Sequence, residues 1–253
     1  MRGRAPRQAR LDVALVEAGL FGSRQRAQAA LQAGLVLVDG RPAGKPSLRV
    51  PTGALLEAEE PMPYVGRGGL KLQAALDRFA LPVAGRVALD VGASTGGFTD
   101  CLLQAGALRV YALDVGTGQL APSLAGDPRV VNLEGTDIRR LPPHQLDPPP
   151  DLAVVDVAFI SLRLVLPHVL AQLRPDAPAD VVALIKPQFE VGPSRVGKGG
   201  VVRNPAYRSQ AVEDVLAAAA ALGLHHRETL PSPVTGGDGN QEYLAHWSRG
   251  GAS

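Results

Sequence analysis

The middle of the chain alternates short apolar runs with amphipathic stretches. The apolar runs predict strands, which we place at residues 87–91, 110–114, 130–133, 152–157 and 181–186. The amphipathic stretches predict helices centred on residues 70–79, 97–105, 119–125, 162–173 and 207–222. Short apolar strands that alternate with helices indicate a parallel sheet covered on both faces. We expect the closing segments, 226–231 and 241–248, to form an antiparallel edge.

A different pattern precedes this one. In "RLDVALVEAGLF", Leu11 and Leu15 share one face of a predicted helix. "SRQRAQAALQAG" predicts a second helix, with Ser23 as N-cap and Gly34 at its end. "LVLVDGRPA" then predicts a hairpin that turns at Asp39-Gly40. Two helices and a hairpin in about 45 residues make a very small domain with little core.

The segment "PTGALLEAEEPMPYVG" separates the two patterns. Its prolines at positions 51, 61 and 63 mark a boundary, which we place near residues 59–64. We therefore expect one domain over residues 1–60 and a larger one over residues 61–253.

Composition narrows the class of protein. Of the residues, 45% are hydrophobic and 20% charged, and Cys101 is the single cysteine. One cysteine excludes an intrachain disulfide framework and fits a reducing cytoplasm. The apolar runs all fall short of the roughly 18 residues that span a bilayer. We expect a soluble, cytoplasmic protein that contacts no membrane and needs no metal.

Charge is unevenly distributed along the chain. Residues 1–50 hold nine Lys/Arg against three Asp/Glu, whereas residues 51–253 hold seventeen against twenty-one. A basic segment joined to a mildly acidic body suggests contact with a polyanion. A solubilising arm is the alternative that charge alone leaves open.

The loop "LDVGASTGGFTD", residues 89–100, allows three interpretations. Ser94 fits the nucleophile elbow of a hydrolase, but residues intervene between the apolar run and this serine, and no histidine stands in a context that marks a base. A dinucleotide loop needs glycine where Ser94 stands, and Asp90 would repel a pyrophosphate. S-adenosylmethionine, which carries an ammonium and a sulfonium, suits an acid at this point. We therefore favour a methyl-donor site.

Two further acids support that interpretation. Asp114 ends the second strand, where a carboxylate can accept hydrogen bonds from both ribose hydroxyls, and Asp137 follows the third strand, where it can meet the adenine amino group. Each acid alone could equally be a cap or turn residue. The residues expected to bind the donor are Asp90, Gly92, Ala93, Ser94, Gly96, Gly97, Phe98, Asp114, Asp137 and Ile138.

Four residues are candidates for the catalytic step. Lys71 begins the first helix of the body, Asp156 ends the fourth strand, Lys186 ends the fifth, and Glu242 opens the last. Since parallel strands end at the same sheet edge, we expect Asp156 and Lys186 to lie beside each other above the donor. Surface salt bridges are the alternative for these four residues.

The motifs "YVGRGGLKL", "DVGASTGGFTDCLLQAGA", "VVDVAFISL", "IKPQFEVG" and "GNQEY" resemble the TlyA family of rRNA 2′-O-ribose methyltransferases, some of them labelled haemolysins. The resemblance covers nearly the whole chain. It implies a small α+β alpha-L RNA-binding domain, followed by an α/β, Rossmann-like class I methyltransferase domain. That domain would have a mostly parallel seven-stranded sheet with an antiparallel edge. Gly66 and Ala158 depart from the common pattern, in which serine stands at both positions.

The resemblance also implies site residues and partners. Lys71, Asp156, Lys186 and Glu242 fall on the Lys-Asp-Lys-Glu tetrad of the wider FtsJ/RrmJ class, and the partner would be ribosomal RNA or a ribosomal subunit. The N-terminal helices resemble the alpha-L module, and "VGPSRVGKGGVVRNPAYR" adds a basic loop that is either an RNA clamp or simply solvated. Candidate RNA-binding residues are Arg10, Arg24, Arg26, Lys45, Arg67, Arg195 and Lys198.

The implied reaction moves a methyl group in line from sulfur to a ribose 2′-hydroxyl, on a cytidine. A lysine base must be neutral, which requires its pKa to fall from about 10.4 to roughly 7–8. We assign that role to Lys186, with Asp156 and Glu242 as orienting residues and Lys71 positioning the ribose or its phosphate. A charged Lys186 that clamps the developing oxyanion is the rival account.

Two other classes of function stay open. A membrane-lysing protein is suggested by the haemolysin label, although the missing apolar span speaks against it. An RNA-binding assembly factor with a decayed methylation site is the other. We expect a monomer.

Overall fold

The computed structural model describes residues 1–59, 61–175 and 177–250. The chain divides into two compact units, Met1–Pro63 and Tyr64–Ser253. Within the described ranges, no helix has the length and apolar character needed to cross a bilayer.

The first unit packs two short helices against small antiparallel sheets. Its elements are β1 (Arg2–Arg4), β2 (Ala9–Arg10), α1 (Leu11–Glu17), α2 (Arg24–Gln32), β3 (Val36–Val38), β4 (Arg41–Pro42), β5 (Arg49–Val50) and β6 (Leu55–Ala58). One sheet has the order β1-β6-β3-β4, and β2 pairs with β5.

Both predicted helices and the hairpin of this unit are present. Leu11 and Leu15 are buried, and Ser23 Oγ accepts a hydrogen bond from the Arg26 amide as the predicted N-cap. Asp39 takes a left-handed φ of 48° in the hairpin turn. The strands β1, β2, β5 and β6 were not predicted, because runs of two to four residues show no measurable period.

The second unit is a three-layer α/β fold. Its elements are α3 (Gly68–Phe79), β7 (Val87–Val91), α4 (Gly97–Gln104), β8 (Arg109–Asp114), α5 (Pro122–Ala125), β9 (Val130–Glu134), β10 (Leu152–Val155), α6 (Leu162–Leu170), β11 (Ala179–Ile185), α7 (Pro187–Glu190), α8 (Pro205–Ala221), β12 (His225–Pro231) and β13 (Tyr243–Arg249). Single 3₁₀ turns stand at Ile138–Arg140 and Pro193–Arg195.

In the described part of the chain, this unit has one seven-stranded sheet with the order β12-β13-β11-β10-β7-β8-β9. The strands from β11 to β9 run parallel, whereas β13 is antiparallel to β11 and β12 is antiparallel to β13. The predicted, mostly parallel sheet with an antiparallel edge is confirmed. Separate hydrophobic clusters cover its two faces, one including Trp247 and the other Leu72.

Three predicted boundaries shift at the edge of the sheet that carries the candidate residues. β10 and β11 end one residue before Asp156 and Lys186, and β13 begins one residue after Glu242. Pro187 explains one of these shifts, because proline has no amide to continue the ladder. The helix predicted over 119–125 begins only at Pro122, since Glu134 Oε1 accepts the amides of Gln119 (2.6 Å) and Leu120 (3.0 Å).

Candidate active site

A cleft of ≈ 1360 Å³ opens where the strand order reverses, between β7 and β10. The chain runs outward from β7 to β9 and then returns to β10 on the other side of β7. Ligands of open α/β sheets bind at this switch point, beyond the carboxyl ends of the strands. The strand ends and their loops supply the lining, including Gly92, Asp114, Asp137, Asp156 and Lys186.

The loop between β7 and α4 is shaped by close backbone approaches. Gly92 has a φ of +88°, and a Cβ there would lie 2.4 Å from the Asp156 carbonyl oxygen. A Cβ at Gly97 would lie 3.0 Å from the Gly69 nitrogen. Ser94 has a left-handed φ of 48°, and its Oγ lies 3.2 Å from Gln119 Oε1, an amide oxygen that is no general base. These close approaches give the glycine-rich loop, residues 92–97, the form of a cradle at the cleft, and among the described residues Ser94 has no general base beside it.

Two of the predicted acids border the cleft. Asp114 accepts hydrogen bonds from the amides of Ser94 (2.8 Å) and Gly116 (2.7 Å), which fix its carboxylate at the rim. The Asp137 carboxylate caps the 3₁₀ turn, and hydrogen bonding from Arg139 lowers the pKa of Asp137 to about 2. Ile138, the next residue, is buried and lines the same cleft.

Asp90 occupies a different place from the one we expected. It is fully buried under α4 and lies outside the lining of the cleft, because side chains alternate along β7 and Val91 faces the cleft instead. Its Oδ2 accepts a hydrogen bond from Thr99 Oγ1 (2.6 Å), while Oδ1 has no hydrogen-bond partner among the described residues. Burial raises the pKa of Asp90 to about 7.

The four catalytic candidates form two ion pairs. Lys186 Nζ lies 2.6 Å from Asp156 Oδ1, a contact without hydrogen-bond geometry, and Lys71 Nζ donates to Glu242 Oε2 over 2.5 Å. The register pairs Ile185 with Tyr243, so Lys186 and Glu242 come next on adjacent strands. The pairs therefore lie side by side along one edge of the sheet.

Their surroundings differ. Asp156 and Lys186 line the cleft, whereas Lys71 and Glu242 are only 8% and 2% exposed and lie outside the lining described for it. A Cβ at Gly236 would lie 2.6 Å from Glu242 Oε1, which leaves this carboxylate little room to move.

The sequence of this chain matches two known protein families, one for each unit of the fold. The family model for FtsJ-like methyltransferases matches residues 64–249, and the S4 domain model matches residues 9–56. The chain belongs to the FtsJ-like methyltransferase family. The predicted combination of a small RNA-binding-type domain and a Rossmann-like methyltransferase domain is confirmed.

Individual relatives of this FtsJ-like chain extend over most of its length. The 16S/23S rRNA (cytidine-2'-O)-methyltransferase TlyA of Mycobacterium tuberculosis is 48% identical over 96% of this chain and 90% of its own. Hemolysin A of Brachyspira hyodysenteriae is 37% identical over 94% of this chain and 99% of its own. A solved, hemolysin-named structure from Streptococcus thermophilus is 41% identical, covers 98% of this chain and 90% of that chain, and has a TM-score of 0.73.

The FtsJ-like domain also carries an aromatic residue that sequence reasoning missed. Phe159 is 92% exposed, lines the cleft and has a left-handed φ of 64°, and its ring centroid lies 5.3 Å from that of Phe189. In the apolar segment "VAFISL" this residue resembles a core position, so hydropathy provides no signal for its exposure.

The two departures from the TlyA pattern lie beside the cleft. A Cβ at Gly66 would lie 2.7 Å from Thr95 Oγ1, so the threonine fills the space where a serine would stand. Ala158 lines the cleft between Asp156 and Phe159.

All seven predicted RNA-binding residues are exposed. In the first unit, the buried Asp12 carboxylate binds Arg10 Nε (3.1 Å), Arg24 Nη2 (2.8 Å) and Gln28 Nε2 (2.9 Å). In the second unit, the Arg195 guanidinium stacks over the Tyr207 ring, 5.0 Å from its centroid. Both contacts hold arginine side chains in defined positions at the surface.

Proposed function

We propose that this FtsJ-like chain transfers a methyl group from S-adenosylmethionine to the 2′-hydroxyl of a cytidine ribose in ribosomal RNA. The observation that carries the proposal is the Lys186–Asp156 pair, which lines a cleft at the switch point of the sheet, next to a glycine cradle. The TlyA relative supports the choice of substrate, since it is named for this reaction on 16S and 23S rRNA.

The residues of the cradle fit the methyl donor. Gly92 lines the cleft with its backbone held close to the Asp156 carbonyl, whereas Gly96, which was expected to bind the donor, packs against Leu124 and lies outside the lining. The Asp114 carboxylate retains lone pairs for ribose hydroxyls after accepting two amides. Asp137 and Ile138 border the position of the adenine. Asp90 Oδ1, which accepts no hydrogen bond from the part of the chain that the structure describes, adds negative charge near the cationic methionyl end once this carboxyl ionises. When bound, the donor supplies an electrophilic methyl group on its sulfonium.

Lys186 acts as the general base in this proposal. The 2′-hydroxyl is a weak nucleophile whose proton must leave as the new bond forms, and a positioned base contributes about 10²–10⁴-fold to such a step. Asp156 holds the Lys186 amine at the cleft surface by its 2.6 Å contact. A lysine that stays charged and stabilises the oxyanion is the competing role.

Lys71 and Glu242 support this pair rather than meet the ribose. Their own ion pair is nearly closed to solvent and lies next to Lys186 along the sheet edge. A buried ion pair with good hydrogen bonds keeps one geometry, because separating the two side chains would leave each charge buried without its partner.

RNA recognition uses both units in this proposal. Residues 1–60 supply Arg10, Arg24, Arg26 and Lys45 for phosphates, and residues 61–253 supply Arg67, Arg195 and Lys198 near the methyl-transfer site. Phe159 presents a ring face at the cleft, on which an unpaired base can stack. The partner is ribosomal RNA or a ribosomal subunit in the cytoplasm, and the protein works as a monomer without a membrane.

Mass-spectrometric mapping of 2′-O-methyl groups on ribosomal RNA, incubated with the donor and either the wild-type chain or Lys186→Ala, tests the proposal. We expect a new methylated cytidine with the wild-type chain and none with the variant. A chain that neither methylates RNA nor binds the donor in calorimetry would instead favour an assembly factor with a decayed site. Leakage of liposomes without methylation would favour a membrane-lysing protein.

A further inference from the structure

Glu190 is a buried carboxylate that the proposed chemistry does not use. It ends α7, the short helix that follows Lys186, and it is 5% exposed. Its Oε2 accepts a hydrogen bond from Ser161 Oγ (2.5 Å), and its Oε1 accepts one from the Leu162 amide (2.8 Å). Arg163 adds an ion pair, with Nε 3.4 Å from Oε2. Burial raises the pKa of Glu190, and these donors oppose that effect.

These contacts connect two segments that meet along the cleft. Residues 156–162 run from β10 into α6, and residues 186–190 run from β11 through α7. Lys186 contacts Asp156, the rings of Phe189 and Phe159 lie 5.3 Å apart, and Glu190 binds Ser161 and Leu162. The contacts follow the same order along both segments. The Lys186–Asp156 pair therefore joins the two segments at their first residues, and Glu190 joins them at their last.

The conformation between these ends is costly. Phe159 has a left-handed φ of 64° and exposes almost its whole side chain, and a bulky residue holds such a conformation only where the flanking structure imposes it. Asp156 and Ser161 are the flanking points, and each is held by a side chain from the α7 segment. If the contact at Asp156 or at Ser161 is removed, the 156–162 loop can adopt a conformation of lower energy.

We propose that Glu190 is a positioning residue that holds the 156–162 loop so that Asp156 and Phe159 face the substrate. This role rests on the proposed methyl transfer to RNA, which it deepens by assigning the geometry of the catalytic pair to a residue outside it. Loss of the Glu190 contacts is expected to slow the transfer step, because Asp156 and Lys186 then lose their alignment, while the donor cradle on β7 and β8 is unchanged.

Single-turnover methyl transfer to ribosomal RNA, with donor affinity measured by calorimetry, tests this role in Glu190→Gln and Ser161→Ala. Glu190→Gln removes the negative charge that pairs with Arg163 and weakens the hydrogen bond from Ser161 Oγ. Ser161→Ala removes that donor, together with the N-cap of α6, and is the second variant if the buried one does not fold. We expect each variant to lose about tenfold or more in rate, with donor affinity within about twofold. The double variant should lose less than the product of the two single losses, since both changes act on the Ser161–Glu190 hydrogen bond.

Glu213→Gln, the same substitution at an exposed position of α8, is the control and should retain the wild-type rate. Rates within about twofold of wild type in Ser161→Ala and Glu190→Gln, or losses that add in the double variant, overturn the role of Glu190. A wild-type chain that transfers no methyl group overturns the proposed function instead, so the two failures are distinguishable.

Discussion

Lys71 Nζ donates to Glu242 Oε2 over 2.5 Å, although 171 positions separate the two residues in the chain. α3 carries the lysine, and the turn before β13 carries the glutamate. The pair therefore joins the first helix of the methyltransferase domain to its last strand, beside Lys186.

Glu242→Gln tests how much the Lys71–Glu242 pair contributes to the stability of the folded chain. The substitution leaves the Lys71 charge buried without a partner, so we expect the free energy of unfolding to fall by about 3–5 kcal/mol, and Lys71→Met/Glu242→Gln to recover part of it. Urea denaturation at pH 7 measures both. The control is Glu228→Gln, which breaks the largely exposed Arg78–Glu228 pair and should cost at most about 1 kcal/mol. Equal losses at the two sites would contradict the prediction.

Lys186→Arg separates the two roles of Lys186. Arginine retains the positive charge beside Asp156 but cannot lose its proton near neutrality. We expect methyl transfer to fall by about 10²-fold or more while the donor still binds, as measured with radiolabelled S-adenosylmethionine and ribosomal RNA. Lys198→Arg, on the exposed basic loop, is the matched control. Substantial activity in Lys186→Arg would leave the electrostatic clamp as the better account.

Asp12→Asn tests the carboxylate that organises Arg10 and Arg24. Although burial opposes it, hydrogen bonding from these arginines and Gln28 holds the pKa of Asp12 well below its usual range. A depressed pKa stabilises the folded state fully above the unfolded value of about 3.9, and the effect disappears as pH falls below it.

The stability gap between wild type and Asp12→Asn should accordingly be constant from about pH 8 to 5, at roughly 2 kcal/mol, and should shrink below about pH 4. Thermal unfolding across this pH range provides the measurement. Asp39→Asn is the control, because asparagine also suits a left-handed turn. A gap that widens in acid would show that Asp12 does not act as an ionised carboxylate.

Phe159→Ala tests the aromatic at the cleft. Since 92% of this residue is exposed, we expect the free energy of unfolding to change by about 0.5 kcal/mol or less. Transfer to RNA at limiting substrate should nevertheless fall about tenfold, because stacking of a base on an aromatic ring is worth ~1–3 kcal/mol. Leu108→Ala removes another exposed apolar side chain outside the cleft and should have no effect on transfer. Equal transfer rates in the two variants would exclude stacking on Phe159.

Much of the fold and the outline of the site could be predicted from the sequence. The core strands β7 to β11 lie within two residues of their predicted positions, because buried parallel strands are apolar runs bounded by turn residues. The glycines of the 92–97 loop indicated a ligand cradle, and strand-end positions indicated that Asp156 and Lys186 meet. Such signals are local, and each is encoded within a few residues.

The tertiary structure decided which partners these residues have. Hydrophobic periodicity states which face of an element is buried, but not which distant element covers it, because strand order and register depend on packing across the whole sheet. Only the folded chain pairs Lys71 with Glu242, turns Asp90 away from the cleft, exposes Phe159 and attaches Glu190 to the Asp156 loop. The sequence determined the strands and the chemistry at their ends, and the packing of the sheet determined how that chemistry is arranged.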